Sequence, residues 1–281
     1  MIRIAVIGLV GQSIFMPVPA FHKGGETVVA TDLHTEWGGK GFNQALAAAA
    51  QGATVDFFGA VFEGDEKAVT AFGAERGISC LLAKKTVQSP LAVIMTDKAG
   101  QNRVTVYQGA ALCACDVALF AEKITAADVL LLSNEVAESV NLAAARVAKA
   151  NGTRVILNPA PYRALSAELL EMVDLFTPNE FECVGLESCS NVLVTLGERG
   201  CLCRESGREI PAVSAGAVVD TTGAGDTFNG ALAYYLAMGY STEKAASLAN
   251  VAAGLKVTKR FVADAVPTGE QTIKLWEKYN G

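Results

Sequence analysis

The chain has 281 residues, and 29 Asp and Glu against 23 Lys and Arg leave a formal net charge of −6. No basic run exceeds Lys84-Lys85 or Lys259-Arg260, which excludes a protein that grips nucleic-acid phosphates through a basic face. With 51% apolar and 19% charged residues the chain can build a large core, which excludes disorder, and no apolar stretch reaches the ~18 residues of a membrane span.

Taken in chain order, residues 2–7 read as a buried strand. The apolar run is short and interrupted by Gly8 and Gly11, so a strand explains it better than a secretory leader. Further short apolar runs at 55–59, 128–133, 155–158, 175–178 and 192–196 read as strands. Helical periodicity marks 42–51, 65–76, 139–151 and 164–172 between them. This alternation predicts an α/β fold with a mainly parallel sheet covered by helices on both faces. Successive helices are then expected over 226–238, 242–256 and 269–279. Residues 26–35, and a hairpin of 91–96 and 103–107 joined across 97–102, break the parallel rhythm and predict a small separate β-sheet. Such a sheet would form a lid, drawn from about 9–36 and 88–108, over a site at the strand ends. No repeat or linker divides the chain, so one domain over 1–281 is expected.

The seven cysteines include no C-x-x-C pair, and the C-x-C pairs Cys113/Cys115 and Cys201/Cys203 have no nearby His to complete a zinc site. Reduced thiols in a cytoplasmic protein are expected. His22 and His34 read as surface residues.

The strongest chemical signal is the segment from Asp220 to Gly230, D-T-T-G-A-G-D-T-F-N-G, which joins a strand-like stretch to a helix. Its small residues let backbone N–H groups converge at a helix N-terminus, where the helix dipole adds to an anion cradle. Asp226 would repel a phosphate there unless it has its own task. It could be a general base beside the cradle, or only a helix cap. The Walker A pattern, the dinucleotide fingerprint and the protein-kinase motifs are absent: Lys40 in Gly38-Gly39-Lys40-Gly41 lacks the upstream Gly and the hydroxyl after it, and Phe228 stands where a third Gly is required.

Two segments together carry a family resemblance: Gly38-Gly39-Lys40-Gly41-Phe42-Asn43-Gln44-Ala45, and Asp220 to Gly230. Residues 157–161, 177–182 and 194–200 match in order between them. Over nearly its whole length the chain resembles the ribokinase-like carbohydrate kinases of the PfkB family. That resemblance implies a three-layer ribokinase-like fold with a β lid. It also implies ATP-dependent phosphorylation of a primary hydroxyl on ribose or a related small sugar. By the same resemblance Asp226 is the catalytic base, with Gly223, Ala224 and Gly225 as the anion hole. Gly38, Gly39, Lys40, Asn43 and Glu135 match acceptor-site residues. Asn179 and Glu182 match a motif that organises Mg²⁺ through water. Thr195, Gly197 and Gly200 match the nucleotide loop, and Asn250 a position beside the adenine. Asp220 and Thr222 match ligands of a K⁺ ion behind the anion hole. A homodimer through the lid is also implied, with no nucleic-acid or membrane partner.

Three departures qualify these expectations. Ser13 stands where the family has an Asp that holds two sugar hydroxyls, which opens the identity of the acceptor. The stretch between Glu182 and Val192 is too short for a helix that the family carries there. Phe261 replaces a Gly of the K⁺ loop, and Ala265 a hydroxyl position, so K⁺ activation is open. The rival readings are a nucleoside or phosphosugar kinase, with Lys40 and Arg103 as the available basic groups, or a silent sugar- or nucleotide-binding regulatory homologue.

Overall fold

The computed structural model describes residues 1–98 and 101–280. Its centre is a six-stranded, all-parallel sheet in the order β10-β9-β8-β1-β4-β5. The strands are β1 (Arg3–Ile7), β4 (Thr54–Phe62), β5 (Ile78–Lys85), β8 (Val129–Ser133), β9 (Arg154–Asn158) and β10 (Leu175–Phe176). Period-two side-chain alternation splits β1 between two cores. Ile4 and Val6 face the layer of α1 (Lys40–Gln51), α2 (Glu66–Ala74), α6 (Ala224–Ala237) and α7 (Thr242–Lys256), while Ala5 and Ile7 face α3 (Ala121–Thr125), α4 (Glu138–Ala150) and α5 (Ala167–Met172). Nearly all of β1 and β8 is buried, which explains why these strands read as continuous apolar runs.

Local chemistry sets the helix ends. The run of alanines from Ala47 to Ala50 favours α1, which closes at Gly52 in the left-handed conformation, φ 114°. The hydroxyls of Ser166 and Ser241 cap α5 and α7 by accepting the N–H of Leu169 and Lys244, each at 3.3 Å. A Cβ at Gly230 would lie 2.3 Å from the Gln44 carbonyl oxygen, so only Gly lets α6 pack this closely on α1. The last helix is α8 (Gly269–Asn280).

A second sheet of four strands has the order β3-β2-β6-β7, made of β2 (Gly11–Pro17), β3 (His34–Gly38), β6 (Leu91–Thr96) and β7 (Asn102–Tyr107). It corrects the sequence reading, since residues 26–33 form no strand. Their apolar Val29 and Leu33 stay exposed, so the stretch packs no apolar face on a core that would hold it as a strand. The strands that join the hairpin are β2 and β3, and β2 runs parallel to β6. Of the expected connection over 97–102, Ala99 and Gly100 lie outside the described residues.

Other differences are smaller. The expected strand at 192–196 is β11 (Leu193–Thr195), which pairs antiparallel with β12 (Cys201–Cys203) in a separate three-stranded sheet completed by β13 (Arg208–Ile210). Parallel bridges Phe176–Val192 and Asn179–Thr195 connect it to the main sheet's edge. Strand β5 lacked a sequence signal because it is an edge strand in which only Ile78 and Ala83 are buried, while Ser79 and Lys84, on opposite faces, are exposed. Residues 182–192 form successive turns, with no helix among the described residues there. The expectation of reduced thiols fails for Cys113 and Cys115, which are bonded to each other across a Cα separation of 5.3 Å, within disulfide reach. The other five cysteines are free.

Candidate active site

The site begins where β1 ends. A Cβ at Gly8 would lie 2.5 Å from the Gly41 Cα, so the two glycines let the start of α1 touch the strand end backbone to backbone. Gly39 enters α1 at φ 117°, a conformation that side chains disfavour. The Glu135 carboxylate, just beyond β8, accepts the Gly41 N–H at 3.1 Å and so caps α1 across 94 residues of sequence. It therefore caps a distant helix, and not the segment that follows Ser133.

These elements line a cavity of about 650 Å³ that takes in Gly8, Ser13, Gly38, Gly39, Lys40 and Glu135. Ser13 reaches it from β2, and its Oγ lies 2.9 Å from where a Gly38 Cβ would stand; the Asn43 Oδ1 is 3.5 Å from the same point. Asn134 also lines the cavity. It is only 4% exposed, and neither polar atom of its amide has a partner among the described residues. Sequence reasoning missed Asn134, and its one signal is a polar residue at the end of an apolar strand run. Arg103, offered above as a basic acceptor group, is not in the cavity wall; its guanidinium lies over the Phe21 ring. Arg163 is in the wall, but its guanidinium is engaged by the carbonyls of Asn134 and Val136.

Next to the cavity stands the N-terminus of α6. Gly223 is its N-cap at φ 73°, and the first helical bond runs from the Thr227 N–H to the Gly223 carbonyl at 2.8 Å. The N–H groups of Gly225 and Asp226 thus have no helical acceptor. A Cβ at Gly225 would meet nothing within 4 Å, which leaves open space above those amides. Buried Asp226 is held there by the Asn43 amide at 3.1 Å on one oxygen and the Gln44 amide at 3.3 Å on the other.

Behind it runs a buried polar chain that the sequence did not reveal. Gln44 also donates to the Asn158 Oδ1 at 3.3 Å, Asn158 to the Thr177 carbonyl at 2.8 Å, and Asn229 to the Gly225 carbonyl at 2.8 Å. The Thr177 hydroxyl closes the chain on Asn229. Such a network fixes the carboxylate's orientation.

Electrostatics follow from this crowding. Burial raises the Asp226 pKa above the ordinary carboxylate value, opposed by the Lys40 charge and the two amides. Burial likewise lifts Glu135 to about 7, with the Asp226 charge adding and the Lys40 and Gly41 N–H groups opposing. The Lys40 pKa is raised, chiefly by Asp226 and also by Glu135 and Glu182, so it stays cationic. Lys40 thereby ties the acceptor side to Glu182 on the opposite side.

On that side Asn179 and Glu182 bind each other. The Glu182 carboxylate accepts the Asn179 N–H at 2.9 Å, and the Asn179 Oδ1 accepts the N–H of Phe181 and Glu182 at 2.9 and 3.0 Å. Thr195 donates to the Pro178 carbonyl at 3.3 Å. Gly197 and Gly200 take positive φ, and a Cβ at Gly200 would lie 2.1 Å from the Ile210 oxygen, whereas Gly197 faces open space. The Asn250 amide donates to the carbonyls of Ile210 and Pro211, at 3.0 and 3.2 Å, and so locks α7 to the end of β13.

Beneath the α6 loop lies Asp220. Its carboxylate accepts the N–H of Thr222 and of Phe261, each at 2.9 Å. Phe261 has φ 62° and is the only non-glycine with positive φ among the described residues. It adopts the left-handed shape that the replacement of Gly was expected to hinder, and its ring stacks on His34 at 3.7 Å. His34 is accordingly part-buried against the loop, not a free surface residue. The ammonium of wholly buried Lys256 donates to the Asp220 carbonyl at 2.9 Å.

A family model described as pfkB family carbohydrate kinase matches residues 1–269. The chain is 32% identical to the ribokinase of Haemophilus influenzae, over 98% of each chain. It is 34% identical to that of Lactococcus lactis, over 95% of this chain and 94% of the relative. Among solved structures, it aligns with Giardia lamblia ribokinase at a TM-score of 0.87 and 27% identity. It aligns with Arabidopsis thaliana ribokinase complexed with ribose and ATP at 0.85 and 28%, covering 99% of each chain in both cases.

Proposed function

The chain belongs to the pfkB family of carbohydrate kinases, and we propose that it transfers the terminal phosphoryl group of ATP to a primary hydroxyl of ribose or a related small sugar. The observation that carries this reading is the placement of a buried carboxylate, Asp226, at an open helix N-terminus beside the cavity that holds Ser13, Lys40 and Glu135. Asp226 takes the proton of the acceptor hydroxyl as that oxygen forms its bond to phosphorus and ADP leaves. Its raised pKa makes it a better proton acceptor than an ordinary carboxylate. The N–H groups of Gly225 and Asp226, with the helix dipole, stabilise charge on the transferring group. Lys40 offsets the charges of Asp226 and Glu135. Ser13, Asn43 and Glu135 are the groups available to hold sugar hydroxyls, together with Asn134.

Mg²⁺, which prefers oxygen and keeps bound water, fits the Glu182 carboxylate oxygen that is turned from its N–H partner, while the Asn179 Oδ1, which accepts two N–H groups, fixes the turn that presents it. Those residues would hold the hydrated ion, which neutralises phosphate charge when bound. Thr195, Gly197, Gly200 and Asn250 are assigned to the nucleotide side. K⁺ does not fit behind the loop, because the buried Lys256 ammonium already sits on the Asp220 carbonyl and 3.9 Å from its carboxylate.

We assign the four-stranded sheet as a lid that excludes water, the competing acceptor, and as the face of a homodimer. Its edge strand β7 exposes Val104, Val106 and Tyr107 beside unpaired backbone groups. The cytoplasm, where ATP is plentiful and five free thiols stay reduced, is the proposed setting.

A second reading, a bulkier acceptor such as a nucleoside, is favoured by the cavity of about 650 Å³ and by Ser13. A phosphosugar is disfavoured, since Arg163 is engaged and Arg103 lies elsewhere. The test is ADP release with Mg²⁺-ATP against pentoses, ketoses, sugar phosphates and nucleosides. Turnover with a pentose or ketose supports the first reading, turnover confined to nucleosides supports the second, and none with any acceptor overturns both.

A further inference from the structure

A wholly buried lysine at a helix end demands an explanation, because an ammonium taken out of water is unfavourable unless partners compensate. Lys256 is 0% exposed, yet no step assigned above uses it. It is the last residue of α7, where helix carbonyls favour a cation, and the chain returns beneath it: the N–H groups of Val219 and Asp220 both donate to the Val257 carbonyl, at 2.7 and 3.1 Å. This places the ammonium 2.9 Å from the Asp220 carbonyl oxygen and 3.9 Å from its carboxylate. Asp220 opens the turn whose Gly223 caps α6.

Burial lowers the Lys256 pKa below the ordinary lysine value, opposed by the charges of three carboxylates, Asp220, Glu36 and Asp226, with that of Asp220 3.9 Å from the ammonium. Each has a backbone or amide partner as well. Glu36 accepts the N–H of Val262 and Ala263 at 3.1 and 3.2 Å, Asp220 those of Thr222 and Phe261, and Asp226 the amides of Asn43 and Gln44. Lys256 sets a positive charge against the carbonyl and carboxylate of Asp220. A single fixed charge on a backbone carbonyl is also what a monovalent metal ion would provide at this place.

We propose that the Lys256 ammonium is a tethered monovalent cation that organises the anion loop from behind, so that turnover needs no added K⁺ or Na⁺. The inference rests on the kinase reading above for its catalytic arm and is independent of it for its stability arm. Lys256 is a positioning residue and touches no reacting atom.

The experiment compares the wild type with Lys256→Ala and Lys256→Met in KCl, ammonium chloride and tetramethylammonium chloride at matched ionic strength, reading ADP release and thermal unfolding. Wild-type kcat and unfolding temperature should be the same in all three salts, within about twofold for kcat. Lys256→Ala, which opens room beside the Asp220 carbonyl and carboxylate, should lose about 100-fold in kcat in tetramethylammonium, as when a loop donor is removed. K⁺ or ammonium should restore much of that loss and raise its unfolding temperature. Lys256→Met fills the room without charge and should be insensitive to the cation. Tenfold or greater K⁺ activation of the wild type, or Lys256→Ala fully active without a small cation, overturns the inference. Should both variants fail to fold, the wild-type salt comparison alone decides. If no acceptor is phosphorylated in any salt, the kinase reading fails, while selective K⁺ stabilisation of Lys256→Ala still supports the tethered cation and its absence overturns it.

Discussion

Asp226 is oriented from both sides, so its charge can be removed with little change of shape. Asp226→Asn should abolish turnover, by about 10²-fold at least, while ATP binding measured by calorimetry stays close to that of the wild type. Comparable activity in the variant would remove the base assignment. Glu135 gives the acceptor side its own pH dependence. Its pKa is lifted to about 7, so the carboxylate form is present above that value and is lost as pH falls through it. The KM for the acceptor should therefore rise as pH drops below neutrality, and Glu135→Gln should flatten that step in a KM profile. Gly223 is a backbone requirement: an Ala there would sit at φ 73° with its Cβ 2.8 Å from a Val262 methyl. Gly223→Ala should lower stability by about 1–2 kcal/mol, read by denaturant unfolding, and reduce kcat by displacing the α6 N-terminus. The motif residues Gly223, Gly225 and Asp226 were legible because their spacing is local. Gln44, Asn158, Thr177 and Asn229 were not assigned, because an ordinary polar residue in a helix or strand carries no sign of the partner that the fold brings to it.

At the level of elements, strand β3 and the loop after α7 are joined as one piece. Glu36 on β3 accepts two loop N–H groups, and Phe261 stacks on His34 of β3 and meets Phe15 of β2 edge-on, with the ring centroids 5.2 Å apart. The same loop donates its Phe261 N–H to Asp220, so lid strands and anion loop are mechanically connected. Glu36→Ala would leave the Val262 and Ala263 N–H groups without their acceptor, at a cost of about 1–3 kcal/mol each if they remain buried. Hydrogen exchange should show those two amides and Phe261 losing protection, with kcat falling; unchanged protection would deny the connection. Elements were legible wherever burial on both faces writes a continuous apolar run, as in β1, β4, β8 and β9. They were misread where one face is wet: β5 was missed, and the lid strands were shifted to 26–35 when the pairing strands are β2 and β3. Strand β11 had the right residues and the wrong sheet, since a short apolar run does not state which neighbour it will pair with.

On the scale of the whole molecule, the lid sheet ends in an open edge. Val104 and Val106 of β7 are 52% and 53% exposed, an apolar stripe beside unpaired strand groups. Sedimentation should show a dimer, and Val106→Glu should shift it to monomer, with acceptor affinity reduced if the partner helps to close the lid; a monomeric wild type would remove the lid-dimer proposal. By itself the sequence determined the α/β layering, the order of its main strands and helices, and the two glycine-bearing segments that mark the family, because periodicity and local motif are written in neighbouring residues. The tertiary structure alone decided how those segments meet. It set Glu135 on a helix that begins 95 residues earlier, Asn43 and Gln44 on Asp226, and Lys256 beneath Asp220, and it let Phe261 keep the left-handed turn expected of Gly. Each of these depends on packing between elements distant in the chain, where burial fixes charge, partner and backbone shape together.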